Sequence, residues 1–212
     1  MELEYVRPSE IEKRSFEIIT RELEENGIEI DERYDYIIKR CIHTSADFDY
    51  AETMYFSDGA VDAISDAIKS GCYIVTDTRM AWSGINKKFL EEYGTEVCCF
   101  ISDPDVVAMS IGHGGTRASF AMEKAMELDK PVVFVVGNAP TALVAIVNMK
   151  ETKGFEPVAV VGVPVGFVNV EASKEMLIES GIPCIVNKGR KGGSNIAACI
   201  INAIQYKDRD RG

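Results

Sequence analysis

The chain has 212 residues, 46% of them hydrophobic and 27% charged, which is enough for one sizeable core in a single globular domain. A formal net charge of -11 argues against a nucleic-acid surface, because phosphate binding draws on clustered Lys and Arg with a basic balance. No basic leader precedes an apolar stretch, and no apolar run approaches the roughly 18 to 20 residues that cross a bilayer, so no membrane contact and a cytoplasmic location are expected. The six cysteines show no CxxC spacing and sit mostly in apolar segments, so they are expected as free thiols with no zinc site.

In chain order, the first third reads as mainly helical. Ser9-Glu10-Ile11-Glu12 follows Pro8 as a capping-box pattern, and the helix it opens carries Phe16, Ile19 and Leu23 and stops near Asn26-Gly27. A second helix spans about Asp31 to Arg40 and delivers His43 just beyond its end. The next has Val61, Ile64 and Ile68 on one face and closes at Gly71.

Short β-branched runs follow: Cys72 to Thr76, Val97 to Ile101, Pro131 to Val136, Pro157 to Val161 and Pro183 to Val186. Most are too continuously apolar for half-exposed strands, so they predict the centre of a parallel sheet covered on both faces. Helices over Thr116 to Leu128, Thr141 to Lys150, Ser173 to Glu179 and Ser194 to Tyr206 complete βα units. The fold class is therefore α/β: one domain over residues 1–212, with a predominantly parallel twisted sheet of about five strands flanked by helices and a helical N-terminal third. Residues 207–212 read as a solvated tail.

In such a sheet the ligand crevice lies beyond the carboxyl ends of the strands. The loops there are Asp77-Thr78-Arg79, Ser102-Asp103-Pro104, Gly137 to Thr141, Gly162 to Phe167 and Asn187 to Ser194. Their Gly and Pro residues permit close backbone approach, and the helix N-termini behind them offer N–H groups to anions. Singly, each glycine-rich turn is equally well explained by backbone geometry alone. Arg40, Arg117, Lys174, Arg190 and Lys191 fall beside these loops or at helix starts, and Arg clamps carboxylates through paired hydrogen bonds. Neither a P-loop nor a dinucleotide fingerprint is present, so a polycarboxylate fits better than a nucleotide. Met54, Phe56, Met80, Trp82 and Phe167 are either an apolar wall for that ligand or ordinary core.

His43 lies in Arg40-Cys41-Ile42-His43-Thr44-Ser45-Ala46-Asp47, with a cation three residues before it and a carboxylate four residues after. Free imidazole titrates near ~6.5, which suits it to give and take protons at neutral pH. His43 is thus a candidate acid–base residue, the alternative being a histidine that caps a helix end. Asp47 either orients it or caps a helix. The second histidine, His113 in Gly112-His113-Gly114-Gly115, reads as a loop residue near the cleft.

The segments Arg14-Ser15-Phe16-Glu17-Ile18-Ile19, Arg40 to Asp47, Gly137-Asn138-Ala139-Pro140-Thr141-Ala142-Leu143, Pro164-Val165-Gly166-Phe167-Val168 and Gly189-Arg190-Lys191-Gly192-Gly193-Ser194 resemble the precorrin-8X (cobalt-precorrin-8) methylmutase family in order and spacing. Ala46 stands where many members carry Gly, and Ser45 occupies a variable position. The resemblance implies an isomerase of cobalamin biosynthesis that moves a methyl group from C11 to C12 of a corrin precursor, giving hydrogenobyrinic or cobyrinic acid. It implies His43 as the proton donor and acceptor and Ser15 as a substrate contact. No cofactor and no protein-bound metal are implied, and homodimers are expected. The tetrapyrrole polycarboxylate supplies carboxylates for Arg40, Arg117 and Arg190, with Lys174, Asn138 and Arg14 as further candidate contacts. Two rivals remain, a phosphosugar or mononucleotide enzyme on the same architecture and a non-catalytic tetrapyrrole carrier.

Overall fold

A computed structural model describes residues 4–207. The chain begins with a 3-10 turn over Pro8–Glu10 that leads into α1 (Ile11–Glu25). The capping box does not form: Glu10 is the N-cap of α1 and makes no side-chain cap bond. α1 buries Ile19 and Leu23, and its end turns on Gly27, whose φ of 66° is one that glycine adopts without a Cβ penalty. α2 spans Asp35–Ser45, five residues past the predicted end at Arg40, so His43 lies inside its last turn. The extension follows from packing, since Ile37, Ile38, Cys41 and Ile42 form one continuous buried stripe and the Ser45 hydroxyl bonds the carbonyl of Cys41.

After α3 (Tyr50–Thr53) comes β1 (Met54–Phe56), a strand absent from the sequence expectation, and then α4 (Ala60–Lys69). The parallel strands are β2 (Tyr73–Thr76), β3 (Glu96–Cys98), β4 (Val132–Val136), β5 (Ala159–Gly162) and β6 (Cys184–Asn187). Between β2 and β3 run α5 (Arg79–Gly84) and α6 (Lys87–Glu91), and between β3 and β4 run α7 (Pro104–Gly112) and α8 (Arg117–Lys124). α9 (Pro140–Lys153), α10 (Val170–Glu179) and α11 (Ser194–Lys207) are the remaining helices of the described residues. Lys207 is thus the last residue of α11 and not part of a tail; positions 208–212 of the expected tail lie outside the described residues.

Among the described residues the sheet has six strands, in the order β1-β6-β5-β4-β2-β3. All neighbours pair in parallel except β1, which runs antiparallel to β6 with Met54 opposite Asn187. Alternation along β4 divides the core. Val133 and Val135 face α1, α2, α4 and α11, whereas Val132, Phe134 and Val136 face α8, α9 and α10. Both faces are covered, which is why all five residues of β4 are buried. Each such side chain contributes roughly 1.5 to 3 kcal/mol of transfer free energy.

Because the five long-predicted strands are parallel, the loops after them leave one edge of the sheet. The chain moves from β2 outward to β3 and from β4 outward to β5, so the topological switch point lies between β2 and β4.

Candidate active site

At the switch point the protein supplies its own anion. Asp77, directly after β2, is 1% exposed, and its carboxylate accepts hydrogen bonds from the backbone N–H groups of Gly137, Asn138 and Ala139 at 2.9, 2.8 and 2.8 Å. Burial pushes its pKa above the ordinary carboxylate value, and the three N–H donors oppose the rise. The expected anion cradle after β4 is therefore filled from within. Asn138 remains exposed, so what this loop presents outward is the Asn138 side chain and not its backbone donors.

The neighbouring loops are tied across the same edge. The Thr78 hydroxyl caps α5 through the N–H of Ala81 and lies 2.7 Å from the Ser194 hydroxyl at the start of α11. Gly137 approaches that helix so closely that a Cβ would stand 2.5 Å from the Ser194 Cα. Thr116, the N-cap of α8, meets Thr141 of α9 at 2.8 Å. A groove of about 350 Å³ runs along these two helices, lined in part by Gly115, Thr116, Ser119, Thr141 and Asn148, and the exposed Arg117 lies next to Thr116 in the chain.

His43 is exposed on the last turn of α2, with its ring 5.6 Å from that of Phe16. Arg40, one turn earlier, lies 5.3 Å from the ring centres of both Phe16 and Tyr206 and pairs with Glu12 at 2.6 Å. Phe16, Arg40 and Tyr206 line a groove of about 480 Å³ together with Asp35, Tyr36 and Lys39, and His43 stands beside it, next to Phe16, rather than in its lining. Ser15 precedes Phe16; its hydroxyl donates to the carbonyl of Ile11 at 2.9 Å. The helix that carries His43 packs on α11, where the Thr44 hydroxyl donates to the Cys199 sulfur at 3.2 Å.

Two assignments change. Asp47 does not partner His43: its carboxylate accepts from the Lys191 ammonium at 2.6 Å, and Lys191 also pairs with Asp49. That contact holds the Asp47 carboxyl below the ordinary value. Lys174 is not a surface cation facing ligand but is 1% exposed, with its ammonium donating to the carbonyls of Gly189 and Lys191 at 2.7 and 2.9 Å. Arg190, between those two residues, is exposed, pairs with Glu171 at 3.1 Å and lies 5.6 Å from the ring centre of Phe167. Arg14 pairs with Glu4 and Glu17. His113, which ends α7, is exposed with its Nδ1 3.3 Å from the Met109 carbonyl.

Of the five apolar residues, Phe167 on the loop after β5 and Met80 in the first turn of α5 are 83% and 68% exposed. Met54 and Phe56 pack against the core, and Trp82 is half-buried with its indole N–H donated to Val97 at 2.8 Å. The described cysteines are all free.

The candidates therefore form an α1–α2 group around His43 and a loop group around Arg190, joined by the Lys191 contacts to Asp47 and Asp49. Arg117 and Asn138 stand at loops farther along the same sheet edge. Sequence reasoning missed Asp77, although a carboxylate directly following a buried strand at the turn of strand order is a recognisable signal.

The precorrin-8X methylmutase family model matches residues 10–207. The chain belongs to this family. The cobalt-precorrin-8 methylmutase of Salmonella typhimurium is 45% identical over 208 residues, 96% of this chain and 97% of that one. The precorrin-8X methylmutase of Pseudomonas aeruginosa is 35% identical over 205 residues, 95% of this chain and 97% of its own. In three dimensions, the crystal structure of precorrin-8x methyl mutase from Thermus thermophilus superposes with a TM-score of 0.85 at 38% identity, covering 96% of this chain and 99% of that chain. As a member of this family the chain is an isomerase of cobalamin biosynthesis.

Proposed function

We propose that this methylmutase moves the methyl group from C11 to C12 of a precorrin-8 macrocycle, with His43 as the proton donor and acceptor. The observation that supports the assignment is the placement of His43: an exposed imidazole on a rigid helix, flanked by the Phe16 ring and standing one turn from Arg40. Substrate and product are isomers, so the step needs no net gain of electrons or atoms. A proton delivered to a ring atom next to the migrating centre selects the tautomer in which the shift extends conjugation, and return of that proton to His43 resets the enzyme. Methyl migration is formally a sigmatropic shift, so holding the macrocycle in one conformation carries much of the rate enhancement.

The polycarboxylate rim is the natural partner of Arg40, Arg117 and Arg190, with Ser15 and Asn138 as neutral hydrogen-bonding groups. Arg40 and Arg190 currently pair with Glu12 and Glu171, so substrate carboxylates exchange with these surface glutamates rather than meeting bare cations. Phe167 and Met80 offer exposed apolar surface to the macrocycle face. We take the active form to be a cytoplasmic homodimer. No helix among the described residues is long and apolar enough to cross a membrane.

Incubating the protein with metal-free and with cobalt-loaded precorrin-8, while following the visible spectrum of each, tests this reading. Conversion of at least one to the spectrum of hydrogenobyrinic or cobyrinic acid is expected. Tight binding of both with turnover of neither would make the protein a carrier.

A further inference from the structure

Three successive carbonyls of the loop after β6 are pinned by groups from elsewhere in the fold. Gly189 O accepts from the Lys174 ammonium at 2.7 Å, Arg190 O from the backbone N–H of Gly166 at 3.2 Å, and Lys191 O from Lys174 at 2.9 Å. The Asn187 side-chain amide adds a second donor to Lys191 O at 2.9 Å. With Gly189 turning at a φ of 74°, the peptide units on both sides of Arg190 are fixed.

Lys174 is an expensive way to do this. It is 1% exposed, and among the described residues no carboxylate pairs with its ammonium, since the nearby Glu171 pairs with Arg190 instead. A buried cation without an ion-pair contact is disfavoured, and burial pushes its pKa down to about 8 against the opposing pull of the nearby Glu171 charge. A fold that needed only loop packing would meet two carbonyls with a neutral donor. The ammonium also places a positive charge directly beneath the backbone that carries Arg190 and Lys191.

We propose that Lys174 is a positioning residue for substrate binding: it holds the backbone on both sides of Arg190 so that the guanidinium is presented to a substrate carboxylate. This rests on the assignment of Arg190 as a carboxylate contact. Its effect belongs to binding, not to the proton transfer at His43.

The test is spectroscopic titration of the intact protein with cobyrinic acid, alongside single-turnover rates at saturating substrate, for Lys174→Met, Arg190→Ala and the double variant. Arg190→Ala is expected to weaken binding by about tenfold, the scale of a charge-assisted hydrogen bond. Lys174→Met is expected to weaken it to a similar degree with the single-turnover rate within about threefold of wild type, and to add less than about twofold when Arg190 is already Ala. Lys174→Gln, which keeps a neutral donor, is expected to recover part of the loss, and it replaces Lys174→Met in the cycle if that variant does not fold. Losses that multiply in the double variant, or a Lys174 variant that binds normally while Arg190→Ala binds weakly, would overturn the role of Lys174 alone. Normal binding by Arg190→Ala would instead remove the Arg190 assignment on which it rests.

Discussion

Lys191 and Asp47 lie 144 positions apart in the chain and meet at 2.6 Å, joining the loop after β6 to the segment that follows His43. Both side chains are partly exposed, so the pair is screened and its worth lies in placement more than in stability. Lys191 holds the Asp47 carboxyl below its ordinary value of 3.8, so any stabilisation is fully present above that pH and is lost as pH falls through the lowered folded value. Urea midpoints of wild type and Asp47→Asn should therefore differ slightly at pH 7 and converge under strongly acid conditions. A gap that widens toward acid would contradict the pairing.

His43→Ala should lose about 10²- to 10⁴-fold in single-turnover rate while still binding cobyrinic acid, because one imidazole adds little to the affinity for a large polycarboxylate. Near-normal turnover would mean that binding geometry alone drives the shift.

Asp77→Ala should be among the most damaging single substitutions outside the apolar core. It strands three backbone N–H donors in a closed crevice, with a cost of about 3 kcal/mol or more. Chemical denaturation measures it directly, and a loss below about 1 kcal/mol would show that water replaces the carboxylate without difficulty.

Gly137→Ala tests the close approach of the β4 loop to α11. The added methyl would meet backbone rather than a flexible side-chain end, at 2.5 Å from the Ser194 Cα and 2.8 Å from its N. Destabilisation of about 1 to 3 kcal/mol is expected, with a displaced Ser194 in a crystal structure of the variant.

Arg117→Ala and Arg190→Ala should each weaken product binding, Arg190 toward the lower end of the range of about 1.5 to 3 kcal/mol because its contact with substrate must first displace Glu171. Glu171→Gln should tighten binding by releasing that competitor. Calorimetric titration separates these, and a Glu171→Gln protein with weaker affinity would show that the ion pair preorganises Arg190 instead.

Most of the fold is legible because β4, β5 and β6 are short, Val-rich runs, polar only at Asn187, too apolar to be anything but buried strand. β1 escaped because Met54-Tyr55-Phe56 is only three residues long, half-buried throughout and stabilised by its pairing with β6. α7 was legible in principle from Pro104 at its first turn, whereas α5 and α6 are too short for periodicity to register. His43 stands out as a candidate by residue type alone, while its helix reads shorter than it is because His43-Thr44-Ser45 looks polar enough for a loop. Partners were the illegible part. Sequence spacing offers Asp47 a neighbour four residues away, although its contact is Lys191, 144 positions on, and the burial of Lys174 depends on a loop that sequence spacing cannot locate.

Antiparallel β1 pairs with β6, and α2 rests on α11, so the helices around His43 are completed by segments synthesised long after them. During synthesis the N-terminal helices must wait, with the apolar face of α2 uncovered, until Cys184 to Lys207 have been made. Such long-range closure slows folding and exposes the intermediate to aggregation. A chain cut before Ser194 would keep His43 in its sequence yet leave α2 without the helix it packs on, so catalytic competence should appear in one late step and not accumulate as the sheet grows.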